Sequence, residues 1–378
     1  MRVEFGELRI GEKARKNLMH CVDNHWASGG EKVKEFEDKW GQLFDYKHNK
    51  AMSSGTDACI NACLTLYDRG AKRGDEIIVP ALSFIATSNA VLAAGFTPVF
   101  VDIEKDTLNI NARKIEEKIT NKTVAIMCVH TMGKPCEMDF IVDLAKKYNL
   151  VVIEDACEAH GAKYKDKYIG KWGDMSCFSF YVAHLICCGE GGMVSTDNDM
   201  FADILNSTRT HGRKNGDLYF DHVRFGLNSK MNDLEASLGL EAVEHDTFWW
   251  VFNTRKNNLY YLLNGLSDLE SHCYFNKEEL YEINCPHAFS IVLKDPKRHS
   301  MRSLYEYLEK NSIKAKRNFG CIPTQHQSFA WMGYKLGDFP ESEYVGDNGL
   351  HFGCHQFLEK SDLDHIIDVV HNWFKENN

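Results

Sequence analysis

Short β-rich runs separated by single helical patterns constrain this chain more than any other feature. Runs at 76–79, 97–102, 124–130, 151–155, 177–181 and 193–196 are rich in Val, Ile, Phe and Met, and several are apolar on both faces. Between them, apolar spacings of three to four residues predict helices over 56–68, 87–94 and 138–149. Strands joined through helices run parallel, and a strand apolar on both faces needs helices on either side of its sheet. The expected class is therefore α/β: a large domain with a mostly parallel, mixed sheet between helices. Ahead of it, Val33, Phe36, Trp40 and Leu43 mark an amphipathic helix before a polar stretch at 46–50. After Asp246 the stretch TFWWVFNTRKNNLYYLL predicts a long helix leading out of this domain. A strand at 288–293 and helices at 300–311 and 361–373 then predict a smaller α+β domain. The division is expected at 1–246 and 247–378, with a soft border because no Pro/Gly-rich linker marks it.

Composition narrows the partners. With 44 basic and 54 acidic side chains in 378 residues and no basic block, nucleic acid is not the expected partner, and an anionic ligand must be met locally. No apolar run reaches membrane-spanning length, and the start MRVEFGELRI lacks a signal-peptide core, so a cytoplasmic protein without membrane contact is expected. The 13 Cys are scattered and include no CxxC pair, which predicts reduced thiols and no metal site.

Three segments bear chemistry. Ser53-Ser54-Gly55-Thr56-Asp57 stands at a helix start, where small residues let backbone N–H groups approach a phosphate; ordinary capping by Thr56 or Asp57 accounts for the same residues. Val152-Ile153-Glu154-Asp155 carries a strand out into carboxylates at its carboxyl end, the edge where open α/β sheets bind ligands. A carboxylate there either holds a protonated pyridine nitrogen or caps a turn. In CFSFYVAHLICCGEGGMV, His184 stands between an aromatic strand and a Gly-rich return.

In this order the segments resemble the DegT/StrS-type nucleotide-sugar aminotransferase family. The resemblance runs on through GDEIIVP (74–80), FIATSNA (84–90), TPVFVDI (97–103), FGLNSKMNDLEA (225–236) and NGL (348–350), nearly the whole chain. It implies the fold-type-I architecture of pyridoxal-phosphate enzymes and a homodimer with its active site shared between subunits. By the same resemblance Ser54, Gly55, Thr56 and Ser179 hold the cofactor phosphate, and Asn228 reaches it from the other subunit. Phe84 stacks on the pyridine ring and Asp155 pairs with its nitrogen. Glu158 stands where the family usually has a Gln near the phenolic oxygen. His211, Arg213, Lys214, Lys314, Lys316 and Arg317 are candidate contacts to a substrate diphosphate, and His355 falls where the family commonly has a His.

Position 184 departs from the family pattern. Aminotransferases of the family carry there the Lys that both tethers the cofactor and shuttles a proton, whereas this chain has no Lys between Trp172 and Arg213. An imidazole can only shuttle the proton, for which its ordinary pKa near neutrality suits it. The frame around His184 is similar to the sugar 3-dehydratases of this family, of which GDP-4-keto-6-deoxy-D-mannose 3-dehydratase is the type. That likeness implies pyridoxal and pyridoxamine phosphate held without a covalent bond, and a nucleotide-diphosphate 4-keto-6-deoxy sugar that loses its 3-hydroxyl. Glutamate restores the amine. A related branch uses a [2Fe-2S] cluster; Cys157 matches its first ligand, but 210–226 holds no Cys, so no cluster is expected. The alternatives are a 4-aminotransferase with an altered proton shuttle, natural or engineered, and a non-catalytic sensor on the same fold.

Overall fold

The computed structural model describes residues 3–216 and 221–377. Seven strands form the large sheet: β1 (His48–Met52), β2 (Glu76–Pro80), β3 (Thr97–Val101), β4 (Thr123–Val129), β5 (Val151–Asp155), β6 (Met175–Ser179) and β7 (Gly192–Thr196). Their order is β1-β7-β6-β5-β4-β2-β3, and β7 alone runs antiparallel to its neighbours. The α/β class and fold-type-I layering expected from the sequence are found.

Both faces of this sheet are covered, which explains the continuous apolar runs. Ile78, Ile126 and Val152 point into one core, with the helices Glu31–Phe44, Met138–Tyr148 and the first half of His245–Gly265. Their neighbours Ile77, Val79, Ala125, Met127 and Ile153 point into the other, with Gly55–Leu64, Ala86–Ala93 and Asp199–Thr208. Alternate residues of a strand face opposite sides, so only a chain apolar at both parities fits between two helical layers.

The second sheet joins β8 (Cys273–Phe275), β9 (Ala288–Leu293), β10 (Ala315–Arg317) and β11 (Gly349–Gly353) in the antiparallel order β8-β9-β11-β10. The helices Met301–Lys310 and Lys360–Glu376 pack on it through Leu304, Leu308, Ile366 and Val370. Leu262 and Leu263, near the end of the long helix, share this core.

Three elements depart from expectation, one of them the helix expected over 56–68, which ends at Leu64. The polar stretch at 46–50 contains the start of β1, whose Asn49 accepts a hydrogen bond from the Ser195 hydroxyl (2.7 Å), so polar residues serve a buried edge. The helix Glu12–Asp23 buries only Ala14 and Cys21, too sparse a pattern to read as periodic. Among the described residues no helix is long and apolar enough to cross a membrane.

The parallel strands β2, β4, β5 and β6 end on one edge. The segments that leave them line a cavity of about 540 Å³.

Candidate active site

The floor of the cavity is the start of the helix Gly55–Leu64. Ser54 caps it, its hydroxyl accepting from the Asp57 amide at 3.0 Å. The helix start lies so close to the end of β6 that a Cβ on Gly55 would stand 2.6 Å from Ser179 Cβ and 3.2 Å from Cys157 Sγ. Gly192 makes the same kind of approach from β7, where a Cβ would lie 2.2 Å from the Ser54 carbonyl oxygen. Missing side chains thus bring free helical N–H groups, the Thr56 hydroxyl and the Ser179 hydroxyl to one spot, the chemistry of an anion cradle.

At the end of β5 the two carboxylates part. Glu154 accepts from the amides of Gly170, Trp172 and Gly173 at 2.6–2.9 Å and is wholly buried beneath the sheet edge. Asp155 turns to the cavity, and its Oδ2 accepts from the Thr87 hydroxyl at 2.7 Å. Burial raises the Asp155 carboxyl above its ordinary range, against the opposing pull of Thr87 and Cys157. Such a carboxyl favours a cationic partner that restores its charge. Phe84 lines the same cavity with 61% of its surface exposed, its ring meeting Phe319 edge to face at 6.2 Å between centroids.

His184 stands on the facing wall, after β6. Its amide donates to Tyr181 O at 3.0 Å, and Arg255 grips its carbonyl oxygen at 3.3 Å, so the backbone is fixed from both sides. Among the described residues the ring has no hydrogen-bond partner at Nδ1. Burial lowers its pKa well below the ordinary value, helped by His287, His160, Arg255 and Lys316, so the imidazole is neutral at pH 7. Glu158 accepts from the Met132 amide at 2.7 Å and lies 3.3 Å from His287 Nε2. Although burial opposes it, His287 leads the contacts that hold the Glu158 carboxyl below its ordinary range.

Ten residues singled out in the sequence line this one cavity: Ser54, Gly55, Thr56, Phe84, Asp155, Glu158, Ser179, His184, Lys316 and Arg317. Lys316 sets its ammonium 4.1 Å from the Phe5 ring centroid. Arg317 is tied to Gly346 O, Gln325 and Asp347. Four others stand outside the lining of their own chain's cavity. Asn228 accepts from Lys230, and His211 donates its amide to Leu227 O (2.8 Å). Arg213 pairs with His222 in a β-bridge. His355 is buried, its pKa pushed down to about 4 chiefly by that burial, and its Nδ1 accepts from the Phe357 amide. Of the weaker candidates, Lys314 is paired with Glu309 at 2.6 Å and the Lys214 amide donates to Asp221 O.

The sequence reading gave no role to Thr87, His287 or His351, all of which line the cavity. No spacing announces them. His287 lies just ahead of β9 and His351 on β11, strands of the other sheet, and only tertiary packing brings them to β5. Cys59, Asp155 and Cys157 each bring one ligand-type atom within 4.8 Å of the others.

A phosphorylated pyridine fits these residues. The helix start at Gly55 offers backbone N–H groups suited to a phosphate, Phe84 an exposed aromatic ring, and Asp155 a carboxyl suited to a protonated ring nitrogen. Comparison with known proteins agrees. The model of the DegT/DnrJ/EryC1/StrS aminotransferase family matches residues 8–371. GDP-perosamine synthase of Escherichia coli O157:H7 is 42% identical over 233 residues, 61% of this chain and 63% of that one. The spore coat polysaccharide biosynthesis protein SpsC of Bacillus subtilis is 36% identical over 97% of this chain and 95% of its own. E. coli GDP-4-keto-6-deoxy-D-mannose-3-dehydratase, solved with bound hydrated pyridoxal phosphate, superposes with a TM-score of 0.88 at 25% identity, covering 98% of this chain and 99% of that one. Cavity, sheet order and family match converge: this chain belongs to the DegT/DnrJ/EryC1/StrS aminotransferase family.

Proposed function

We propose that this protein is a 3-dehydratase of a nucleotide-linked 4-keto-6-deoxy sugar, working as a cytoplasmic homodimer with pyridoxamine phosphate and regenerated by glutamate. The observation that carries the reading is His184, a neutral imidazole on the cavity wall at the position where the family's tethering Lys is expected. Among the described residues only one Lys, Lys316, lines this cavity, and its ammonium rests on Phe5.

When bound, the cofactor would supply an amine able to condense with the sugar's 4-keto group, with loss of water, and a pyridine ring able to take up electrons. Asp155 holds the proton on that ring's nitrogen, and Thr87 fixes the carboxylate for the task. Gly55, Thr56 and Ser179 bind the phosphate, so the ring is oriented without a covalent bond. Asn228, outside its own chain's cavity, is assigned to the partner's phosphate. His184 accepts a proton from the cofactor methylene and returns one to the departing 3-hydroxyl, which leaves as water. A neutral ring is the form able to start that cycle. Lys316 and Arg317 offer cationic charge to the sugar's diphosphate, with His211, Arg213 and His355 as outer candidates.

The second reading, a 4-aminotransferase, is favoured by the GDP-perosamine synthase relative. One incubation separates the two. With glutamate, pyridoxal phosphate and GDP-4-keto-6-deoxymannose or its dTDP counterpart, the product should lack one oxygen at carbon 3 and keep its 4-keto group. A 4-amino sugar retaining the 3-hydroxyl rejects the dehydratase.

A further inference from the structure

His184 does not stand alone. The ring of His287 lies 5.1 Å from it, centroid to centroid, at 31° between planes. His287 is 4% exposed, and its Nε2 faces Glu158 Oε1 at 3.3 Å. The pair is locked from behind. Met132, at φ 54°, gives its amide to Glu158 at 2.7 Å, and the next residue, Gly133 at φ 80°, accepts the Cys285 amide at 2.9 Å. A Cβ on Gly133 would stand 2.1 Å from Cys285 O, so only glycine lets the two segments touch. One turn thereby fixes both the carboxylate and the strand lead that carries His287. The Nδ1 atoms of His184 and His287 are both buried without a hydrogen-bond partner among the described residues, and both rings line the cavity.

We propose that Glu158 and His287 are a positioning pair for His184: the carboxylate pins the His287 ring against the His184 ring, and the ring so held opposes a proton on the His184 imidazole, leaving it ready to accept one from the cofactor. The inference rests on the reading of His184 as proton carrier. It also accounts for an acidic residue at 158, because a carboxylate opposite a ring N–H orients it more firmly than a neutral amide would. Other groups face His184 as well: His160 from the segment after β5, Arg255 from the long helix, Lys316 from β10 and Tyr181 from its own turn. Glu190 lines the cavity with them. The cations among them act in the same sense as His287, so removal of His287 alone should move His184 part of the way back.

The test uses the full-length chain carrying ¹³C-labelled histidine, with and without pyridoxamine phosphate. The His184 resonance is assigned by its loss in His184→Asn. In His287→Gln, and in Glu158→Gln, the His184 midpoint should rise by about one pH unit, a tenfold gain in proton affinity. The acid limb of methylene proton exchange on the bound cofactor should move up by the same amount, with sugar KM unchanged. A fixed His184 midpoint in both variants overturns the pair. So does a shift in His287→Gln that Glu158→Gln fails to reproduce, or lost thermal stability with the acid limb in place. The NMR titration needs no sugar. An amino-sugar product would therefore reject the dehydratase reading while leaving the pair standing, and a fixed midpoint would do the reverse.

Discussion

At the scale of single residues, neighbouring side chains divide the labour because a strand points them opposite ways. Glu154 satisfies three backbone amides and faces His130 Nε2 at 3.2 Å, a purely structural post. The Cys136 amide donates to His130 Nδ1 at 3.1 Å, which leaves the ring's proton on the nitrogen facing Glu154. One residue on, Asp155 takes Thr87 and Cys157 as partners and keeps capacity for a ligand. Gly55 shows the same economy. Gly55→Ala would drive a methyl to 2.6 Å from Ser179 Cβ, and the helix start must retreat. The expected cost is about 1–3 kcal/mol of stability, read from denaturant unfolding, with a loss of pyridoxal phosphate affinity of tenfold or more in a fluorescence titration. A variant that binds the cofactor as tightly as the parent would show that the phosphate sits elsewhere.

Elements differ in how much of themselves they reveal in sequence. β5 and β9 are found at 151–155 and 288–293 as expected, because each is a bounded run of β-formers. β1 was hidden, since His48, Asn49 and Lys50 look like loop and only Ala51 and Met52 look like strand. Its identity comes from pairing with β7, a long-range fact. The helix expected over 56–68 ends at Leu64 and tightens into a 3₁₀ turn at Thr65–Arg69 that stops at Gly70, φ 91°. The site divides along the same line. Ser54, Asp155 and Ser179 stand where a strand of the large sheet ends or a helix begins, and His184 stands in the loop between β6 and β7; local pattern finds such places. His351 lies in the four-stranded sheet and His287 just ahead of its strand β9, and their chemistry depends on a contact that neither neighbourhood encodes.

For the whole molecule, buried histidines set the response to acid. His160 and His351 are pushed down to about 3, and His355 to about 4, in each case chiefly by burial. All three are therefore neutral in the folded chain at pH 5, whereas the unfolded chain protonates them below about 6.5. The unfolded state binds more protons throughout that window, so stability rises with pH and is lost as pH falls from about 6.5 toward 4. Each ring buried this deeply costs about 2 kcal/mol at pH 5. Glu158, held below its ordinary range, loses stabilisation in the same direction as it is protonated. Asp155, raised, acts in the opposite sense. The sum predicts that urea midpoints fall steeply between pH 7 and pH 5, before ordinary carboxylates titrate; midpoints that stay level across that interval would contradict the burial of neutral rings.

The central claim is that an imidazole at 184 leaves the cofactor free of any covalent bond to the chain. Borohydride reduction of the holoprotein, followed by tryptic mass spectrometry, tests it most directly. All cofactor is expected in the small-molecule fraction, and no peptide should gain a pyridoxyl group. A pyridoxyl adduct on Lys316, or on any other lysine, would contradict it.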